Sequence, residues 1–163
     1  MNTDVTEMPV RGSNAIEILV NDHQTIKQLL ERLVEGPETD RQMVVEQLQK
    51  ALTIHNATEE NLVYPALNAI AGKKFESRWL YHETAEADML LFKIDTGLKT
   101  GAGDETYRKQ AEKLRDAILE HIDDEEQKAF VHLQDGADQS QTDLLTQSVR
   151  KFRQSLHFNG ANS

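Results

Sequence analysis

Cysteine is absent from this chain of 163 residues, and its absence excludes several kinds of site. Without thiols the protein has no disulfides, no zinc–thiolate site, no iron–sulfur cluster and no cysteine nucleophile. Any metal site in this chain must therefore take nitrogen and oxygen ligands from histidine and carboxylate side chains.

Positive charge is scarce as well, because 18 Lys and Arg residues face 28 Asp and Glu residues, a net charge of −10. Nucleic acids and anionic membranes are bound through basic surfaces, so we expect neither as a partner. No apolar run approaches the ~20 residues of a membrane helix. The first residues show no basic and apolar regions of a signal peptide, and the sequence predicts a cytoplasmic protein.

Proline and glycine are few, 3 and 8 residues, and they fall mostly at borders between helical patterns. The borders are Gly36-Pro37, Gly72, the stretch from Gly97 to Gly103, and Gly136. They predict long helices over roughly 14–35, 39–71, 74–97 and 104–134, and a shorter one over about 140–157. The predicted organisation is a flexible N-terminal tail (1–13), a helical domain (14–134) and a C-terminal helix with a tail (135–163).

Apolar residues recur every three or four positions along each long segment, which is typical of helices that share a core. The pattern predicts an all-α protein, an up-down four-helix bundle with an additional short C-terminal helix. Each stripe is interrupted by histidine: His23, His55, His82 and His121, with His132 further along the fourth stripe and read as structural or as part of a second site. In the third segment the predicted stripe consists of Phe75, Trp79, His82, Glu86 and Met89.

Three of these histidines are followed by glutamate four residues later, a spacing that puts both side chains on one helix face. The pairs are His55–Glu59, His82–Glu86 and His121–Glu125. Taken singly, each histidine is compatible with an ordinary hydrogen-bonded core residue, and each pair with an exposed helix pair. Taken together, seven polar groups in a bundle core are unfavourable without a partner. Two divalent cations would balance the three carboxylates, and the sequence therefore predicts a dinuclear metal site.

At these residues the chain resembles the hemerythrin-like, or HHE cation-binding, family over roughly 14–134. The resemblance depends on His23, the segment His55-Asn-Ala-Thr-Glu59-Glu60, His82, and the segment His121-Ile-Asp-Asp-Glu125-Glu126. It implies a four-helix bundle around two non-haem iron ions with an oxo or hydroxo bridge. Manganese and zinc remain alternatives, since affinity alone does not select iron.

Residue by residue, the resemblance implies that His23 and His55 bind one iron. It implies that His82, Glu86 and His121 bind the other, and that Glu59 and Glu125 bridge the two. One iron then keeps an open position for a small ligand such as O2, peroxide or NO.

Two departures from the oxygen-carrying hemerythrins affect the expected function. Glu86 stands where those proteins have a second histidine, and Glu125 follows His121 after four residues where they have aspartate after five. Anionic oxygen ligands stabilise the ferric state, which disfavours reversible O2 carriage. We expect a catalase-like or redox-protective protein, with O2, NO or iron binding, sensing or storage without turnover as the alternative.

The last helix has its own apolar stripe, formed by Leu145, Val149, Phe152 and Leu156, beside basic residues. It has two interpretations: a fifth helix that covers the bundle, or a surface for a homo-oligomer or an acidic partner. Tyr64 and Tyr81 lie off the predicted stripes and are assigned no role.

Overall fold

A computed structural model describes residues 8–71 and 77–160, with side chains for residues 8–70 and 77–156. Within these ranges the regular structure is entirely helical, so the all-α prediction is confirmed. Gly72 and Phe75 lie outside the described residues. The helices are α1 (Ala15–Glu35), α2 (Arg41–Thr58), α3 (Tyr64–Ala71), α4 (Arg78–Thr100), α5 (Asp104–Asp124), α6 (Phe130–Gly136) and α7 (Gln139–Gly160).

Two of the predicted long helices contain a π-helical turn. Glu59–Val63 joins α2 to α3, and Glu125–Ala129 joins α5 to α6. At the end of each turn, a backbone N–H donates to the carbonyl five residues earlier, Tyr64 to Glu59 and Phe130 to Glu125. Such turns insert one residue into the helical register and are frequent at functional sites. The residue five positions after each glutamate is thereby brought toward the face that the glutamate occupies.

The long helices pack side by side, with α1 against α2 and α5, and α4 against α2 and α5. Their apolar faces form two main clusters, one around Ile26, Leu48 and Leu114, the other around Leu19 and Phe130. On α1, His23 lies between Leu19 of one cluster and Ile26 of the other. The buried histidines and glutamates therefore form a polar layer between two apolar ones.

The chain before α1 is packed where the structure describes it. Met8 is completely buried in the larger apolar cluster, and the carbonyl of Gly12 accepts a hydrogen bond from Arg150. Residues 1–7 lie outside the described residues. Within the predicted tail over 1–13, Met8 and Gly12 thus contact the helical part of the chain, while Pro9, Arg11 and Ser13 are exposed.

Helix α7 lies against α1 and α2. Its side chains Val149 and Arg153 are fully buried. The hydroxyl of Thr146, also on α7, accepts a hydrogen bond from the backbone N–H of Ala15 at the start of α1. This arrangement is the covering helix that the apolar stripe suggested. No described helix has both the length and the apolar character needed to cross a membrane.

Candidate metal centre

Four buried side chains in the polar layer converge on one small volume. They are His23, His55, Glu59 and Glu125, and each places one ligand atom within 4.8 Å of those of the other three. His23 Nε2 lies 3.1 Å from His55 Nε2 and 3.3 Å from Glu125 Oε2. His55 Nε2 lies 3.2 Å from Glu59 Oε1. Two imidazole nitrogens and two carboxylates thus face one another in the buried core.

A fifth group, His121, approaches Glu125 from its other oxygen. His121 Nε2 lies 3.3 Å from Glu125 Oε1, and the residue is 8% exposed. It is not part of the group of four donors that share one centre. Glu125 therefore lies between two histidine environments, one with His23 and His55 and one with His121.

Each histidine is held from its Nδ1 side by a carboxylate. Asp22 lies 3.2 Å from Nδ1 of His55, Glu83 lies 2.9 Å from that of His121, and Glu126 lies 2.8 Å from that of His23. A carboxylate at Nδ1 favours the tautomer that leaves Nε2 free for a metal and fixes the ring orientation. All three imidazoles are therefore oriented with Nε2 toward the centre.

Tyr64 joins the two central carboxylates. Its hydroxyl lies 3.1 Å from Glu59 Oε2 and 2.5 Å from Glu125 Oε1, and the residue is fully buried. Burial and the charges of Glu59 and Glu125 raise the pKa of Tyr64 far above its ordinary value, so the hydroxyl keeps its proton and acts as a hydrogen-bond donor to these carboxylates. Tyr64 was assigned no role from the sequence, because the π-helical turn that brings it inward is not visible in the spacing of the residues.

Phe130 holds the corresponding position after the second π-helical turn. Its ring stacks on the imidazole of His23, with centroids 5.8 Å apart and planes 6° from parallel. The two π turns thus place one polar and one apolar aromatic ring against the centre.

The charges in the centre shift one another's protonation in the metal-free protein. Burial opposes a charge on His55, but Glu59 and Asp22 outweigh it and raise its pKa to about 10. Burial likewise opposes a charge on His121, but Glu125, Glu59 and Glu83 raise its pKa to about 9. Burial works against the carboxylate of Glu125, yet His121 and His23 lower its pKa. Protons on the histidines therefore balance the buried carboxylates.

The donor set fits a cation. Three buried ligand atoms have ion-pair contacts at 3.2–3.3 Å but no hydrogen bond of good geometry: Glu59 Oε1, Glu125 Oε2 and His121 Nε2. Buried polar atoms are rarely left without a partner, and all three belong to groups that face the centre. Imidazole and carboxylate ligands suit iron, manganese and zinc.

The structure does not bring His82 and Glu86 to this centre. Both are exposed on α4, and Met89 of the same predicted stripe is 62% exposed. The buried face of α4 has the same spacing but consists of Leu80, Thr84, Ala87, Leu91 and Ile94. Burying leucine and isoleucine is more favourable than burying histidine and glutamate, which explains why this face turns inward. We therefore omit His82 and Glu86 from the candidate ligands.

Arg153 of α7 is a further buried residue behind the centre that the sequence reasoning did not assign to the site. It is fully buried, pairs with Asp22 and donates to the Thr58 hydroxyl at 2.6 Å. Asp22 in turn contacts His55. The available signal was its position on α7, four residues after Val149 on the apolar stripe.

The model of the hemerythrin HHE cation-binding domain matches residues 14–133 of the chain. This chain belongs to the hemerythrin HHE family. The family resemblance predicted from the motifs is thereby confirmed, and the buried histidine and glutamate cluster lies within the matched range.

A protein named DNA nickase, from Nostoc sp. (strain PCC 7120), is 24% identical over 131 residues, which is 80% of this chain. The match covers 36% of that relative, so the chain spans about a third of its length. No solved structure matches the chain.

Proposed function

We propose that this hemerythrin HHE protein holds a non-haem di-iron centre that reacts with a small oxidant, namely hydrogen peroxide, O2 or NO. The observation that supports the proposal is the buried group of His23, His55, Glu59 and Glu125, with His121 beside it. We propose these five residues as the protein ligands, with the solvent-derived bridge that the family resemblance implies. The surrounding arrangement is an up-down four-helix bundle, which the pairwise packing of α1, α2, α4 and α5 supports.

When bound, iron would supply the redox chemistry by cycling between its ferrous and ferric states. The chain's own residues would orient the imidazoles through Asp22, Glu83 and Glu126 and hold a hydroxyl proton at Tyr64. Two apolar clusters lie on either side of the polar layer and would exclude bulk water. The two buried carboxylates, Glu59 and Glu125, favour the ferric state, whereas Glu86, which the sequence predicted as a third anionic ligand, is not among the proposed ligands.

A peroxide assay tests the enzymatic form of this proposal. Disproportionation converts two molecules of hydrogen peroxide into two of water and one of O2, so no outside reductant is needed. We expect O2 evolution from iron-loaded protein, lost in Glu59→Gln and retained in the exposed, matched variant Glu105→Gln. Iron-loaded protein that binds O2 or NO without evolving O2 from peroxide would instead indicate binding, sensing or storage.

The partners and location are also part of the proposal. The net charge of −10 supports a protein that does not bind nucleic acid, and we propose a cytoplasmic location. The activity named for the Nostoc relative belongs to a protein of which this chain matches 36%, and it is not carried over to this chain.

A further inference from the structure

The centre is built from two halves that correspond to one another. Sixty-six positions separate His55 from His121, Glu59 from Glu125 and Tyr64 from Phe130, and a π-helical turn starts at each glutamate. The segment α2–α3 is thus matched by α5–α6. The two halves differ, however, in what the preceding helix supplies.

Helix α1 corresponds to α4 by the same reasoning. Asp22 contacts Nδ1 of His55, and Glu83 contacts Nδ1 of His121, so these two carboxylates are equivalent. The buried faces support this register, because four buried apolar residues of α1 are matched by buried residues of α4. The matched pairs are Leu19 with Leu80, Ile26 with Ala87, Leu30 with Leu91, and Leu33 with Ile94.

In this register Thr84 takes the place of His23. Thr84 is 5% exposed, and its hydroxyl donates to the Leu80 carbonyl of its own helix at 3.0 Å. His82 does not replace the missing imidazole, since it lies two residues earlier, about 200° around the helix, and is exposed. One half of the centre therefore has two histidines and the other has His121 without a second.

We propose that the two metal positions are unequal because of Thr84. An ion at the His23 and His55 end has two histidines besides the shared carboxylates of Glu59 and Glu125 and is retained. An ion at the His121 end has one histidine besides those carboxylates and exchanges readily. This inference rests on the proposed metal centre but not on its reaction with an oxidant.

The charge of the core also favours one firmly held cation over two. The described ion pairs and hydrogen bonds of Glu59 and Glu125 come from histidines and Tyr64, while the nearby Arg153 is paired with Asp22. One divalent cation balances these two carboxylates. A second ion, at the His121 end, would depend for its balancing charge on the solvent-derived bridge and on Glu83, which is only partly buried.

Metal retention measures the asymmetry without any assay of activity. Metal-free protein is loaded with excess Co²⁺, passed through a desalting column, and analysed for metal per folded chain. We expect about one equivalent in the wild type and about two in Thr84→His, because a histidine there completes the second donor set. The matched control Thr84→Val should stay at about one equivalent, since it removes the hydroxyl and adds no ligand.

Two further variants keep the proposal open to contradiction if Thr84→His does not fold. His23→Thr leaves His55 as the only histidine at its end, so both ends then have one histidine, and this variant should retain no Co²⁺. His82→Ala should retain as much Co²⁺ as the wild type. A wild type that retains two equally held ions, a retained ion in His23→Thr, or a loss in His82→Ala would overturn the proposal. A folded Thr84→His variant that still retains a single ion would do the same.

The outcomes also separate this inference from the proposed function. Protein that retains no Co²⁺ and no iron contradicts both. Retention of one ion in the wild type and two in Thr84→His, without any reaction with peroxide, O2 or NO, supports the asymmetry and contradicts the oxidant chemistry.

Discussion

The Tyr64 hydroxyl lies 2.5 Å from Glu125 Oε1, although the two residues belong to different helical segments. The same hydroxyl contacts Glu59 Oε2 at 3.1 Å. One phenol thus holds together the carboxylates that begin the two π-helical turns. Its position five residues after Glu59 depends on the π turn, so the tyrosine, the turn and the carboxylates form one structural unit.

Replacing Tyr64 with phenylalanine removes this link and leaves the ring in place. We expect the metal-free protein to lose about 1–3 kcal/mol in its free energy of unfolding, because buried carboxylate oxygens lose their donor. Urea denaturation of the metal-free variant measures this loss. Tyr81→Phe is the matched control, since the Tyr81 hydroxyl is exposed and donates to a backbone carbonyl at 3.3 Å. Equal stability of the two variants would contradict the structural role of Tyr64.

Arg153 links α7 to the centre through Asp22, so removing its charge should affect both stability and metal binding. Arg153→Met removes the guanidinium partner of the buried Asp22 and leaves His55 as its remaining partner, and we expect a loss of about 3–5 kcal/mol in the free energy of unfolding. We also expect metal affinity to fall about 10-fold or more, because Asp22 orients His55.

The double variant Asp22→Asn with Arg153→Met tests the origin of that effect. Removing both charges should recover part of the stability that Arg153→Met loses, because no unpaired charge remains. Lys151→Met, an exposed position on the same helix, serves as the control in urea denaturation. If Arg153→Met were no less stable than Lys151→Met, α7 would not be coupled to the centre.

Protons and metal compete for the same histidines, which predicts opposite effects of pH. The pKa values of His55 and His121, about 10 and about 9, lie above the ordinary value of 6.5. Their protonation therefore stabilises the metal-free fold fully below pH 6.5, and this stabilisation is lost as the pH rises through roughly 9 to 10. Metal affinity should rise over the same range, because binding displaces these protons.

Thermal unfolding of metal-free protein and metal titrations at several pH values would measure both trends. His55→Gln should make the stability of the metal-free protein and its metal affinity less dependent on pH, because it removes the group with the higher of the two pKa values. Metal-free protein that becomes more stable between pH 7 and pH 9.5 would contradict this account of the charges.

The limits of the sequence can be traced to particular residues. The helical segments and the residues His23, His55, Glu59, His121 and Glu125 were predictable, because three- and four-residue spacing specifies one helix face. Two faces of α4 have residues at three- and four-residue spacing. The sequence prediction placed the face with the His82–Glu86 pair inside, but that face is exposed.

Other features depended on interactions that spacing does not encode. The π turns shift the register by one residue and bring in Tyr64 and Phe130. Arg153 reaches Asp22 across 131 positions of sequence, and Met8 is buried by tertiary packing rather than by any local pattern. Long-range contacts of this kind follow from the assembled fold.

The acidic composition predicts that the chain does not bind DNA. Mobility-shift and supercoiled-plasmid nicking assays at low salt, where electrostatic binding is strongest, should show neither a shift nor a nick with metal-loaded protein. Specific nicking that disappears in Glu59→Gln would contradict this expectation and extend to this chain the activity named for the Nostoc relative.

The central claim is that the buried histidines and glutamates bind metal, and metal content tests it most directly. Protein reconstituted with Fe²⁺ without oxygen and then desalted should retain about one equivalent or more per chain. The double variant Glu59→Gln with Glu125→Gln should retain none while keeping its helical content, and the matched surface variant Glu105→Gln should behave as the wild type. Wild-type protein without retained iron, manganese or zinc, or a double variant that keeps its metal, would contradict the account.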